Sequence, residues 1–176
     1  MAVRIQCSHF VIRELCKEDA PVLAHYANNR KIWNNVRDEF PHPYHLKDAE
    51  QYISSVLEDK TLSKFAIANE KELIGAIGIH PKQQANYRFT VEIGYWLGEA
   101  HWGKGIASEA VRAIVQYAIQ ELSCQKIYAE VYEHNQASMR VLEKAGFEKE
   151  AILKREIIKN GKFIDVHRYA IWSKPS

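Results

Sequence analysis

Gly103 and Gly105, with Gly98 upstream, sit in the stretch Val91 to Glu109, VEIGYWLGEAHWGKGIASE. The residues that follow, Ala110, Val111, Ile114, Val115, Ala118, Ile119 and Leu122, recur at spacings of three and four, which predicts a helix from Ala107 with one face on a core. Glycines let a backbone approach a ligand closely. The first amides of a helix have no internal acceptors and lie at the positive end of its dipole. The chemistry such a loop suits is anion binding, most naturally of phosphate. The alternative is a glycine-rich turn that serves only strand-to-helix packing.

Three phosphate ligands compete for the loop. Gly98 to Lys104 has P-loop spacing, but Gly105 stands where a Ser or Thr hydroxyl must hold magnesium, which disfavours a nucleoside triphosphatase. Gly103 to Ser108 matches a dinucleotide fingerprint weakly, with Ser in place of the third glycine and only Glu130 as a loosely placed acidic residue. The pyrophosphate of coenzyme A is the third. Here the stretch resembles motif A of the GNAT acyltransferases, whose loop runs Gln/Arg-x-x-Gly-x-Gly/Ala. In this chain the frame is Trp102 to Ala107: Gly105 and Ala107 match, and Trp102 departs from the usual first residue. A second segment, Asn135 to Gly146-Phe147, is similar to the family's segment after its fifth strand. Loops reading YWGKG occur among relatives of the RimJ/RimL branch of ribosomal-protein N-terminal acetyltransferases, which this chain looks most like.

The resemblance implies an acyl-CoA cleft with acetyl-CoA as donor and no metal. Tyr95, Trp96 and Leu97 would line the pantetheine arm, with backbone from Tyr95 and Leu97. Trp102, Gly103, Lys104, Gly105, Ile106, Ala107 and Ser108 would hold the pyrophosphate, and Asn135 and Ser138 would complete the site. Asn135 is equally explained as a helix cap. The implied reaction is direct transfer of an acetyl group to a primary amine, either a protein N-terminus or a small molecule. An alkylamine is mostly protonated near pH 7, so a base is needed. Glu92 is the first candidate, one residue out of register with the histone-modifying branch; Glu130 matches the carboxylate of another N-terminal-acetylating branch, and Glu156 one proposed in the branch this chain looks most like. Each is otherwise a solvated or ion-paired strand residue. The phenol that many relatives carry four residues before the Gly-Phe pair is replaced by Leu142, which leaves Ser138 as the hydroxyl for the departing thiolate, or simply a local backbone partner. A non-catalytic acyl-CoA-binding module on the same fold is the alternative function, and a nucleotide-binding enzyme is more distant.

Around these residues the chain reads as follows. Val3 to Leu15 is a strand with a phase change near His9 and Phe10; a helix runs from about Glu18 to Asn28, and another from Lys47 to Asp59. Between the helices, an aromatic-rich segment holds Trp33, Arg37 and Tyr44, candidates for the acceptor side or else packing at the core edge. Strands follow at Phe65–Asn69, Leu73–His80 and Phe89–Leu97, then, after the helical crossover, a parallel one at Lys126–Tyr132. Asn135 caps a helix to Ala145, and two last strands turn through Asn160-Gly161. This predicts a mixed α/β, GNAT-like fold with a predominantly antiparallel sheet of about seven strands. Helices lie on both faces, and the parallel pair splays apart to form the cleft.

The composition is that of a soluble globule: 176 residues, 47% hydrophobic and 26% charged, read as one domain spanning 1–176. A net charge of +2 argues against a nucleic-acid or membrane partner. Three widely spaced cysteines and no signal-like apolar run predict a cytoplasmic protein, monomer or homodimer.

Overall fold

The computed structural model describes residues 3–59 and 63–173. The elements in chain order are β1 (Arg4–Gln6), β2 (Val11–Glu14), α1 (Ala20–Ala27), α2 (Arg30–Trp33), α3 (Leu46–Glu58), β3 (Lys64–Ala68), β4 (Leu73–Pro81) and β5 (Thr90–Leu97). Then come α4 (Ile106–Gln120), β6 (Lys126–Tyr132), α5 (Gln136–Lys144), β7 (Glu148–Lys159) and β8 (Lys162–Trp172). The strands hydrogen-bond in the order β1-β2-β3-β4-β5-β6-β8-β7. Among the described residues the sheet has eight strands, close to the number expected. The phase change at His9 and Phe10 is a reversal: Cys7 N–H donates to Phe10 O at 2.9 Å, and β1 pairs antiparallel with β2.

The chain forms two compact units. The first comprises Met1–Gly78 and Tyr95–Ala110. Its apolar centre gathers Leu15, Leu23, Ala27, Ile53, Ala66 and Leu73, with Tyr44 among them. Leu23 and Ile53 come from the buried stripes of α1 and α3, and each such side chain contributes about 1.5–3 kcal/mol when fully buried. α1 begins two residues later than its pattern suggests, because Lys17–Asp19 forms a 3-10 turn and Pro21 stands at the helix start, where its missing N–H costs nothing. The buried Asp19 carboxylate accepts both terminal nitrogens of Arg13 at 2.8 Å and the Cys16 N–H at 2.9 Å.

The second unit comprises Ile79–Gly94 and Val111–Ser176. Here β5 and β6 run parallel, pairing Thr90 with Lys126, Val91 with Ile127 and Glu92 with Tyr128; the ladder ends there although both strands run on. β6 pairs antiparallel with β8 along its whole length. As expected, the Asn135 side chain caps α5, and Gly146 ends it at φ 95°, with Phe147 N–H reaching back to Leu142 O at 3.0 Å. Asn160 and Gly161, at φ 51° and 73°, make the two-residue hairpin between β7 and β8. β7 carries a bulge between Leu153 and Ile157, where Arg155 adopts φ 51° and its N–H donates to Asp165 Oδ1 at 2.9 Å.

Candidate active site

In the first unit the glycine loop is braced from three sides. Gly98 N–H donates to Ile74 O at 2.8 Å, and the Tyr26 ring lies so close to Gly98 that a Cβ there would stand 2.6 Å from it. Glu99–His101 then makes a 3-10 turn. Tyr26 Oη donates to Glu72 Oε1 at 2.7 Å and stands 3.2 Å from His101 Nε2. Burial, followed by the Lys104 charge, depresses the His101 pKa, against a smaller opposing pull from Glu72. Glu99 is held by Asn29 Nδ2 at 2.7 Å and by an ion pair with Lys31.

Trp102, the residue that departs from the family's loop, donates its indole N–H to Leu97 O at 2.7 Å and closes the turn. The Lys104 ammonium donates to Ala100 O at 2.9 Å. Gly103 and Gly105 have φ of 73° and 78°, in the region where an L side chain is strained. A Cβ at either would meet nothing within 4 Å, so the backbone there faces open space. Glu109 N–H bonds to Gly105 O at 3.1 Å, which leaves the amides of Ile106, Ala107 and Ser108 in the first turn, without an acceptor four residues back. The Glu109 carboxylate, a negative charge in that turn, is turned to Ser8, whose N–H and hydroxyl both donate to it at 2.7 Å. Open backbone, left-handed glycines and a helix start fit the pyrophosphate of coenzyme A. Tyr95 and Trp96 are half-buried on β5; Leu97 is buried and its carbonyl already accepts Trp102.

The acceptor-side candidates separate. Tyr44 is buried in the apolar centre, its ring 4.9 Å from Phe40, and its N–H donates to Asn28 Oδ1 at 3.0 Å. Burial, then Tyr52 and Asp48, raises its pKa far above the ordinary phenol value. Trp33 is half-buried beneath the Arg30 guanidinium at 4.8 Å and beside His42; Arg37 is exposed.

In the second unit, two of the three candidate carboxylates share a cluster. Tyr128 Oη donates to Glu92 Oε2 at 3.4 Å. Glu130, two residues on and hence on the same face of β6, accepts Arg168 Nη2 at 2.6 Å and Nε at 3.1 Å. Arg168 also lies 5.0 Å from the centre of the Tyr128 ring. Burial, then the charges of Glu92 and Glu130, pushes the Tyr128 pKa up to about 12, so the phenol keeps its proton. Glu156 is exposed within the β7 bulge, and no described contact ties it to this cluster. Asn135 Oδ1 accepts Ser138 N–H at 3.1 Å, which places both at the start of α5; Leu142 is fully buried. Tyr128 and Arg168 were not anticipated. Alternation in KIYAEVY puts Tyr128 and Glu130 on one face, a usable signal; the β6–β8 register that brings Arg168 opposite Glu130 leaves none.

Residues 9–148 match the sequence model of the GNAT acetyltransferase domain. The chain belongs to the GNAT acetyltransferase family. It is 32% identical over 163 residues to the uncharacterized N-acetyltransferase p20 of Bacillus licheniformis, across 91% of this chain and 90% of that protein. With the ribosomal protein uS5-alanine N-acetyltransferase of Escherichia coli it shares 29% identity over 170 residues, 93% and 87% of the two chains. The structure of Mycobacterium smegmatis RimJ in complex with a coenzyme A disulfide superposes with a TM-score of 0.85 at 21% identity, covering 98% of this chain and 87% of that one. The GNAT chain described here is thus an N-acetyltransferase with the fold expected of the RimJ/RimL-like branch. Among its described residues no helix is long and apolar enough to cross a membrane, and no group of three or more His, Cys, Asp or Glu is placed to hold a metal ion.

Proposed function

We propose that this GNAT acetyltransferase, acting as one domain over residues 1–176, moves an acetyl group from acetyl-CoA to a primary amine. The protein N-terminal α-amine is the first acceptor class and a small-molecule amine the second. The observation that carries the reading is the pair of left-handed glycines, Gly103 and Gly105, opening onto empty space at the start of a 15-residue helix. Bound acetyl-CoA would supply a thioester that the amine attacks and a thiolate that departs.

The chain's own residues supply the rest. Amides from Gly103 to Ala107 hold phosphate, with Trp102 fixing the loop to Leu97 and Lys104 beside it. Trp96, with Tyr95, backs the pantetheine arm, and Asn135 offers its amide N–H to the arm while its oxygen caps α5. Glu92 takes the amine proton, steadied by the Tyr128 hydroxyl. Ser138, in the first turn of α5, hydrogen-bonds the departing sulfur. Glu130 serves instead as the partner of Arg168, which favours Glu92 as base. Glu156 is the remaining alternative, because a carboxylate on an exposed bulge can approach an acceptor from the β7–β8 hairpin. Trp33 and Arg37 contact the acceptor. The protein N-terminal class is supported by the uS5-alanine enzyme among the relatives, and a cytoplasmic monomer or homodimer fits the free cysteines.

A thiol-release assay with acetyl-CoA across peptides with free N-termini and small amines tests the reading. Release dependent on peptide N-termini is the expected result. Release with small amines alone moves the acceptor class, and tight coenzyme A binding without release to any amine would favour a binding module instead.

A further inference from the structure

Glu99 opens the 3-10 turn that leads from Gly98 to the two left-handed glycines, and both oxygens of its carboxylate are taken by the start of α2. Oε2 accepts Asn29 Nδ2 at 2.7 Å, and Oε1 pairs with the Lys31 ammonium. All of these residues, with the glycine loop itself, belong to the first compact unit. The Lys31 ammonium first, then the Asn29 amide, hold the Glu99 carboxyl below its ordinary pKa, so it is ionised at neutral pH. Asn29 works in two directions: while Nδ2 holds Glu99, Oδ1 accepts the Lys31 N–H at 2.8 Å and caps α2.

α2 has four residues, too few to be stable by itself. Its order depends on what grips it, which is the burial of Ile32 and the two contacts to Glu99. Trp33 lies on this turn beneath the Arg30 guanidinium, and Asn35 Nδ2 returns to Lys31 O at 2.9 Å, tying the next turn to the gripped residue. Lys31 and Glu99 keep 66% and 42% of their side-chain exposure, and exposed ion pairs contribute little to stability. A carboxylate four residues before Gly103 is also unfavourable to a phosphate ligand unless its charge is matched, which Lys31 does. What the contact supplies is a connection between the cofactor loop and the segment that carries Trp33 and Arg37.

We propose that Glu99 is a positioning residue, through which coenzyme A bound at the glycine loop orders α2 and presents Trp33 and Arg37 to the amine acceptor. The proposal rests on the acetyl-transfer reading above, with phosphate at the loop and the acceptor at α2. Phosphate on the Gly103 to Ala107 amides removes freedom from the loop, and Glu99 then offers Asn29 and Lys31 a fixed partner. The entropy of ordering the first turn of α2 is spent before the acceptor arrives. The coupling is reciprocal: an acceptor that orders α2 tightens coenzyme A by the same factor.

Amide hydrogen exchange of the full-length chain, with and without saturating coenzyme A, reads the coupling, because the N–H groups of residues 31–36 are hydrogen-bonded within this segment. Coenzyme A should slow exchange at 31–36 by about fivefold or more, the lower end of ordinary coupling between two sites. Glu99→Ala and Lys31→Ala should each abolish that slowing while keeping it at 103–108 and leaving the melting temperature near the parent's. The double variant should do no more than either alone. In turnover with a peptide or small amine that releases thiol, each should raise the acceptor Michaelis constant about fivefold with kcat little changed. Glu99→Gln, which keeps an acceptor for Asn29, should fall between. Slowing at 31–36 that survives in both single variants, additive losses in the double variant, or slowing confined to 103–108 in the parent overturns the proposal. Absence of slowing at 103–108 in the parent would instead remove the cofactor reading on which it stands.

Discussion

Tyr128 and Glu92 are register partners across the parallel β5–β6 ladder, and the Tyr128 hydroxyl donates to the Glu92 carboxylate at 3.4 Å. They form the last rung of that ladder, where β5 and β6 stop pairing. A carboxylate in that place has a neutral donor beside it, and the phenol, pushed up to about 12 first by burial, never competes as the base at working pH.

Glu92→Gln should therefore reduce turnover by about 10²–10⁴-fold, the usual worth of general-base assistance. Tyr128→Phe removes only a long hydrogen bond to the carboxylate and should cost less than tenfold, with acetyl-CoA affinity unchanged. Ser138→Ala should lower turnover without changing that affinity, as loss of an interaction made in the transition state does. Steady-state kinetics of the three variants against calorimetric coenzyme A affinities check the set. A crippled Glu156→Gln beside a near-normal Glu92→Gln would transfer the base role to Glu156.

The glycine loop separates strain from charge. Gly105→Ala puts a methyl into open space and should cost only the left-handed backbone strain of about 1–2 kcal/mol in thermal unfolding. Gly105→Asp adds a negative charge over the helix start, so its coenzyme A affinity should fall at least tenfold below that of Gly105→Ala. Equal affinities in the two variants would argue against phosphate at this loop.

Tyr44 and Arg37, in the same connecting segment, should respond in opposite ways. Tyr44→Ala empties a buried site and should destabilise the protein by about 3–5 kcal/mol. Arg37→Ala, at an exposed position, should stay within about 0.5 kcal/mol of the parent and act through the acceptor Michaelis constant. Chemical denaturation alongside acceptor kinetics distinguishes them.

The Arg13–Asp19 pair gives a pH signature. Burial alone would raise the Asp19 pKa, but the hydrogen bonds from Arg13 and Cys16 outweigh it and hold the carboxyl below its ordinary value. The stability it contributes is thus fully present above the unfolded carboxylate pKa of about 3.9 and drains away as pH falls through the lower folded value. Asp19→Asn should cost about 1.5–3 kcal/mol at pH 7. Below about pH 4 its melting temperature should fall less steeply than the parent's. Parallel melting curves from pH 7 to 3 would show that the pair contributes nothing.

What could be read from the residue string was local. Gly103, Gly105 and the helix after them, the Asn135 cap, the Gly146 stop and the Asn160-Gly161 turn are each specified by neighbours a few residues apart, and each stands where its pattern put it. The Cys7–Phe10 reversal showed in the residue string only as a phase change, which a bulge or a turn would equally give, because a two-strand hairpin with three- and four-residue arms leaves too few alternations to reveal a change of direction. For Tyr44 the irregular segment left acceptor contact and core-edge packing both open; its burial comes from α1 and α3 closing over it, a tertiary event that periodicity does not record. The same holds for the partners of Glu92 and Glu130. Arg168 reaches Glu130 through the β6–β8 pairing, over a separation at which sequence spacing carries no geometry.

Gly98 lies in the run that imitates a P-loop, yet its backbone is ordinary, with φ at −56°, and what excludes a side chain is the Tyr26 ring of α1. Positions 26 and 98 divide a single volume between them, so that any bulk one acquires the other must surrender. Replacements at these two places are therefore tolerated as matched exchanges and refused one at a time, and the distance between them along the chain conceals a pair that inherits change jointly.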